Sequence, residues 1–320
     1  MKEFNPNYLD FEQPLLELEH KIKELHNDPE KTAKSEAAME KLNKEYQKLT
    51  QKIFDNLSDW QISQLARHPL RPYSLDYIPN IFDLFNELHG DRMFGDDPAI
   101  VSGLAKIDNH NIVFIGHQKG RDAKDKVMRN FGMSKPEGYR KALRMMKLAE
   151  KFNLPVVTFI DTPGAYPGID AESRNQSQAI AENLFVMSNL KIPIISIIIG
   201  EGGSGGALAI GVGDRICMLQ NSIYSVISPE GCASILWKDS KKAEQAAEAL
   251  CITSGKLLNH KLIDLIIPEP LGGAHRDLTA MSSSLKINLV NLLDEITDID
   301  IDELILERKK KIGSYGKFEI

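Results

Sequence analysis

Leu15, Leu18, Ile22 and Leu25 recur at steps of three and four, and Leu42, Tyr46, Leu49 and Ile53 repeat the pattern further along. Each set draws a narrow apolar stripe down one face of a helix, so residues 1–60 read as a helical arm. Asn27-Asp28-Pro29 interrupts it, because proline disfavours helical backbone at the residue before it. Two helices packed antiparallel are expected. Their remaining surface, rich in Glu and Lys, has the pattern of a solvated face; the functional alternative is a docking arm for another subunit.

Arg67-His68-Pro69-Leu70-Arg71-Pro72-Tyr73 punctuates a connector over 61–78, and the texture then changes. Short β-branched runs at 112–116, 156–161, 194–199, 216–219, 223–227 and 265–267 alternate with helical patterns at 137–151, 174–189, 204–212 and 241–250. That alternation predicts an α/β domain over 79–296, followed by a tail over 297–320.

Three of these strands run into a turn of small residues and then a helix. The turns are Thr162-Pro163-Gly164-Ala165-Tyr166-Pro167-Gly168, Gly200-Glu201-Gly202-Gly203-Ser204-Gly205-Gly206 and Ser228-Pro229-Glu230-Gly231-Cys232. Stacked units of this form would gather all three at one sheet edge, where clefts form. The second turn carries more glycine than chain reversal requires, and glycine lets backbone approach a ligand closely. A helix opening at Ser204 would also aim unpaired N–H groups and the positive dipole end outward. Such a setting suits a negative oxygen, either on a resident phosphate or on an oxyanion that arises only during reaction.

Familiar motifs overlap here without completing themselves. Gly200, Gly202 and Gly205 satisfy GxGxxG, but no acidic residue ends the next strand as a dinucleotide site requires. No lysine follows Gly205-Gly206, which argues against a P-loop, and Asp161-Thr162-Pro163-Gly164 therefore imitates a GTPase switch by coincidence. Gly202-Gly203-Ser204-Gly205-Gly206 also fits GxSxG, making Ser204 a candidate nucleophile with His260 or His275 as base; a helix N-cap is the commoner role for such a serine. The transient oxyanion needs few side chains, since each backbone donor contributes roughly 3–4 kcal/mol.

Composition narrows the picture. The 320 residues carry a net charge of −6, with 42% hydrophobic and 26% charged positions, which gives no reason to expect nucleic acid or an anionic membrane as partner. Cys217, Cys232 and Cys251 form no CxxC pair, so neither a disulfide framework nor a cysteine-rich zinc ribbon is expected. The opening residues have no apolar signal region, and the apolar run at 192–199 is far too short for a membrane span. A cytoplasmic protein is the expectation.

Phe159 to Gly168, residues 200–213 and residues 224–236 together resemble the α-subunit family of bacterial acetyl-CoA carboxylase carboxyltransferases. Gly116-His117-Gln118-Lys119-Gly120-Arg121, Arg129-Asn130-Phe131-Gly132-Met133 and the run from Ile267 to Arg276 carry the same resemblance, as do Leu9 to Pro14 and Leu65 to Pro69. The resemblance covers nearly the whole chain, lapsing in 23–41 and after about 290.

The resemblance implies a crotonase-like (ClpP/crotonase) superhelix of ββα units behind the helical arm. It implies transfer of a carboxyl group from carboxybiotin, borne on a biotin carboxyl carrier protein, to acetyl-CoA, giving malonyl-CoA for fatty acid biosynthesis. A separate biotin carboxylase would use the ATP. The active site would lie between α and β chains of an α2β2 assembly, with zinc on the β chain and none here. Gly205 and Gly206 match the family's oxyanion hole for the biotin ureido oxygen. Gly164 and Ala165 would line the biotin pocket, with Gly202, Gly203 and Ser204 beside them. Lys119 and Arg121, in a basic run with Lys124, Lys126 and Arg129, would meet CoA phosphates or the β chain, against the alternative of a solvated loop. Glu230 reads as an early-helix acid that complements the dipole, while Cys217, Cys232, Met145 and Met146 read as core. The competing functions are a stand-alone acyl-CoA hydratase or hydrolase, a carboxyltransferase acting on another thioester such as propionyl-CoA, and a non-catalytic scaffold.

Overall fold

The computed structural model describes residues 8–27 and 33–316. The two apolar stripes are helices α1 (Gln13–His26) and α2 (Ala33–Phe54). Phe11 meets Phe54 edge to face with centroids 6.1 Å apart, while Tyr46 donates a 2.8 Å hydrogen bond to Glu19. Early residues of one helix therefore face late residues of the other, the antiparallel pairing expected. The Asp28-Pro29 break between them lies outside the described residues, as do the chain's opening residues and its last four.

The stretch expected as a connector holds two helices. Ser58 accepts from Gln61 N and caps α3 (Asp59–Ala66). Next, α4 (Ser74–Ile81) carries Tyr77, Ile78 and Ile81 into the main core. Burial of that face outweighs the local proline punctuation.

Strands β1 (Leu84–Glu87), β2 (Ile100–Ile107) and β3 (His110–His117) form an antiparallel meander. The sequence reading missed the first two. The β1 strand is a mostly exposed edge, and Ser102, Gly103 and Lys106 break up the apolar run of β2. After α5 (Ala123–Met128) and α6 (Pro136–Lys151) the sheet turns parallel with β4 (Val156–Thr162). Helices α7 (Ile169–Ser173) and α8 (Gln176–Asn189) lead to β5 (Ile194–Gly203). A short α9 (Ser204–Leu208) precedes β6 (Arg215–Leu219) and β7 (Ile223–Ser225). Then α10 (Pro229–Trp237), α11 (Ala243–Leu250) and α12 (Ser254–Asn259) return the chain to β8 (Leu265–Ile267). The sheet order is β1-β2-β3-β4-β5-β6-β8, with β7 paired to the end of β5.

Alternation along the central strands builds a core on each face. Phe114, Phe159, Ile197 and Cys217 pack with Tyr77 and with α13 (Leu278–Thr297). Val113, Ile160, Ile198 and Met218 pack on the other face against Met145 and Met146 of α6, so both methionines and Cys217 fill core as expected. Cys232 joins a satellite cluster with Ala233 and Ala246.

The expected tail is docked. Residues Ile301–Gly313 form α14, from which Arg308 enters the protein and is 1% exposed. Its guanidinium bonds Asp214 and the carbonyls of Met187, Leu190 and Ile192.

Candidate functional site

Strands β4 and β5 stay in register from Val156↔Ile194 to Ile160↔Ile198 and then slip, so that Thr162 faces Gly202. The slip is a bulge in β5 around Ile199. A bulge releases backbone groups from the ladder, and inside a protein each released group needs a partner. Ile199 O accepts from Arg71 Nε at 2.8 Å, and Glu201 N donates to Asp161 Oδ1 at 2.9 Å.

Both of those buried side chains are held in turn by an opposite charge. Arg71 Nη2 lies 2.5 Å from Glu269 Oε1. Burial alone would raise the Glu269 carboxyl, but Arg71 and the amides of Asn221 and Ala274 hold it below its ordinary range. Lys119 Nζ lies 2.6 Å from Asp161 Oδ1 and 3.5 Å from Glu201 Oε2. Burial opposes the Lys119 charge, yet the two carboxylates keep its ammonium above the usual lysine range.

The bulge carries β5 beyond its expected end, through Glu201↔Ile223, Gly202↔Tyr224 and Gly203↔Ser225 with β7. The first four residues expected as turn are therefore strand, and their glycines serve close packing. A Cβ on Gly200 would stand 2.6 Å from Asp161 Oδ1, and one on Gly203 would stand 2.3 Å from Pro163 O. A Cβ on Gly206 would come 2.5 Å from the Gly164 carbonyl carbon and 2.6 Å from Ala165 N. The second turn is thus pressed on the first along Gly164 and Ala165. Reversal falls to Ser204, whose φ of 54° lies in the left-handed region that few non-glycine residues adopt.

Helix α9 stops at Leu208, short of the expected 212. Thr158 Oγ1 and Ser196 Oγ donate to Ile210 O at 2.7 and 3.3 Å, which ties that carbonyl to the strands. Gly205 is the open position, with Ile180 at 3.8 Å from a notional Cβ. Among the described residues, no side chain or loop carbonyl accepts from the Gly205 or Gly206 N–H, as expected for amides in a first helical turn.

The third turn joins the same edge. Ser228 Oγ accepts from Gly231 N and caps α10, and Glu230 sits in the first helical turn as expected. Glu230 also takes Arg67 Nη1 at 2.9 Å, while Arg67 Nε reaches Glu201 Oε1 at 3.5 Å. Lys119, Asp161, Glu201, Arg67 and Glu230 therefore form one chain of charges under all three turns. A cleft of about 430 Å³ opens beside the first turn, lined by Tyr166, Glu172, Asn175, Gln176 and their neighbours.

Several expectations change. Lys119 is occupied by Asp161 and Glu201 and does not project as part of an exposed basic run. Arg121 pairs with Asp76, donates to Pro69 O at 3.0 Å and stacks over Tyr73 at 3.9 Å. Arg129 is held by Asp125 and by Pro98 O; Lys124 is exposed. Neither His260 nor His275 forms a hydrogen bond with Ser204. His275 Nε2 lies 3.2 Å from Glu12, and its ring stacks on His68 at 3.9 Å, so the parts of a nucleophilic triad are not brought together. Asp161, Glu201, Arg67 and Arg71 were not singled out for this site, because each partner lies far away in sequence.

Glu12, His68 and His275 place ligand-type atoms within 4.8 Å of one another. A metal suits them poorly. His68 Nδ1 accepts from Leu70 N, which leaves the proton on Nε2 facing Glu12, and Arg276 already binds Glu12 Oε1 at 2.9 Å. The cluster clamps the arm to the body. Among the described residues, no helix is long and apolar enough to cross a membrane.

Residues 8–316 match the family described as acetyl co-enzyme A carboxylase carboxyltransferase-like. The chain is 59% identical over 315 residues to the acetyl-coenzyme A carboxylase carboxyl transferase subunit alpha of Methylococcus capsulatus, covering 98% of each chain. It is 60% identical over 314 residues to the subunit of the same name from Blochmanniella floridana, covering 97% of this chain and 98% of that one. Among solved structures it resembles a Pseudomonas malonate decarboxylase hetero-tetramer in complex with coenzyme A, with a TM-score of 0.56 at 18% identity over 69% of this chain and 89% of that chain. It also resembles transcarboxylase 12S, with a TM-score of 0.53 at 19% identity over 67% of this chain and 41% of that chain. These structural likenesses establish the crotonase-type carboxyltransferase fold.

Proposed function

The chain belongs to the acetyl co-enzyme A carboxylase carboxyltransferase-like family, and on that premise we propose how its site works as the α half of the enzyme. The activity is carboxyl transfer to acetyl-CoA, giving malonyl-CoA. The observation that carries the site reading is the slip that sets Thr162 opposite Gly202 and presses Gly206 on Gly164 and Ala165. It brings two backbone turns to one edge and leaves the Gly205 position open.

In this reading carboxybiotin, delivered by a carrier protein, lies along Gly164 and Ala165 with its ureido oxygen toward the Gly205 and Gly206 amides. Gly202, Gly203 and Ser204 shape the wall beside it. As CO2 departs, negative charge collects on that oxygen, and two fixed N–H donors stabilise it more than they stabilise the neutral ground state. When bound, carboxybiotin would supply the carboxyl group and the base for the acetyl methyl, while this chain orients it and holds the developing charge at the Gly205 and Gly206 amides. Holding the reactants in a shielded cleft removes the entropic cost of a three-body encounter.

A partner β chain completes the cleft and supplies the second oxyanion site, the zinc and the other half of an α2β2 assembly. Val226, Ile235 and Leu236 beside the third turn are exposed apolar surface, which supports a covering chain there. Biotin carboxylase, which uses the ATP, acts separately. Lys119 is engaged by Asp161 and Glu201, whereas Arg121, whose side chain stays 40% exposed beside Asp76, is offered as a contact for CoA phosphates or the β chain. The test is reconstitution of the purified chain with its β partner, a carboxybiotin donor and either acetyl-CoA or propionyl-CoA. Malonyl-CoA should form only in the mixture; turnover by the isolated chain, or preference for propionyl-CoA, would overturn this reading.

A further inference from the structure

The Lys119 side chain is largely enclosed, with 13% of it exposed. It starts just beyond β3, passes under the turn at Asn130–Gly132, and ends on Asp161 at the end of β4. Gly132 has φ 84°, and a Cβ there would stand 2.7 Å from Lys119 Cγ, so the covering turn is fitted to the lysine stem. The oxygen that Lys119 grips, Asp161 Oδ1, is the same one that accepts the Glu201 amide. Only Gly202, Gly203 and Ser204 separate Glu201 from Gly205, and the first two are strand. A displacement at Glu201 is therefore transmitted along a short, paired segment to the glycine turn.

We propose that Lys119 is a positioning residue for the transfer reaction: through Asp161 it fixes the Glu201 amide, and so sets where Gly205 and Gly206 present their N–H groups. Glu201 and Arg67 extend the same constraint to Glu230 at the third turn. The proposal rests on reading those two amides as the groups that stabilise charge. It replaces an electrostatic role toward CoA with a mechanical one inside the chain. A buried ammonium on a short paired contact fixes one oxygen in place, whereas a solvated lysine would hold nothing rigid.

The experiment compares Lys119→Met, Asp161→Asn and the double variant in the complex with the partner subunit, together with hydrogen exchange over residues 200–206. Positioning predicts that kcat falls ~10–100-fold in each single variant while KM for acetyl-CoA stays within ~2-fold. The double variant should be no slower than the worse single, because both act through one contact. Exchange at 200–206 should quicken in all three. Asp161→Asn retains an oxygen for the Glu201 amide and guards against a folding failure of Lys119→Met. A raised KM with unchanged kcat, independent losses that multiply in the double variant, or unchanged exchange would each overturn the proposal. Faster exchange without loss of turnover would overturn it too, and would also remove the charge-stabilising role of Gly205 and Gly206. Unchanged exchange and turnover in Lys119→Met, beside a slow Gly205→Ala, would sink the positioning role alone.

Discussion

A Cβ on Gly206 would stand 2.5 Å from the carbonyl carbon of Gly164, whereas one on Gly205 would meet nothing closer than Ile180 at 3.8 Å. The adjacent glycines therefore have separable roles. Gly206 is required by the chain's own packing; Gly205 is left clear, the space that the proposed biotin site would use.

Alanine at each position separates the two. Gly205→Ala should keep its melting temperature and lose turnover by ~10-fold or more, since the added methyl obstructs only a ligand. Gly206→Ala must move the first turn, so it should cost about 1–3 kcal/mol of stability as well as activity. Thermal unfolding and malonyl-CoA formation measured on both variants check this. Full turnover in Gly205→Ala would count against an oxyanion site there.

Arg308 and Asp214 tie α14 to the body with both side chains sealed from solvent. Removing one member leaves a buried charge without its partner, a change that costs about 3–5 kcal/mol. Arg308→Met should lower the urea midpoint by a corresponding amount, and Arg308→Met with Asp214→Asn should recover part of the loss. A midpoint unmoved by the single change would mean that α14 contributes little to stability.

His117 ends β3 fully buried, and burial, with the nearby Lys119 charge adding to it, pushes its imidazole down from 6.5 to about 3. The folded protein keeps this group neutral while the unfolded chain protonates it. Because the unfolded state then binds more protons, stability should fall as pH drops below 6.5 and level off near 3. His275, also lowered by burial, adds in the same direction. The slope is about 1.4 kcal/mol per pH unit for each group. Urea unfolding at neutral pH and near pH 5 should show a smaller acid loss in His117→Gln than in the parent chain. Parallel losses would remove His117 from the account.

Strands β3 to β6 and β8 were legible because their apolar runs are nearly continuous, as buried parallel strands require, and the short β7 because Ile223 opens a further apolar run. The arm was legible from its stripes. Helix α13 could have been read as well: Met281, Leu285, Leu289, Leu292 and Ile296 are spaced by four, four, three and four, and all are buried. The exposed β1 offered no such signal.

The candidate site was only half legible. Its glycines stand out in sequence, but their density pointed to a turn, and the structure uses several of them as strand residues pressed against Asp161 and Pro163. Spacing cannot tell a glycine that turns the chain from one that makes room for a neighbour, because the neighbour is chosen by sheet register.

Local pattern by itself determined the α/β alternation, the helical arm, the apolar strands and the edge at which the turns would gather, since periodicity and backbone preference act within a few residues. The tertiary structure alone decided that Arg67, Arg71, Lys119 and Arg308 brace distant parts of the chain. Each charge is balanced by an acid between 42 and 198 positions away in the case of Lys119 and Arg71, and no short-range signal says which distant carboxylate will be its neighbour.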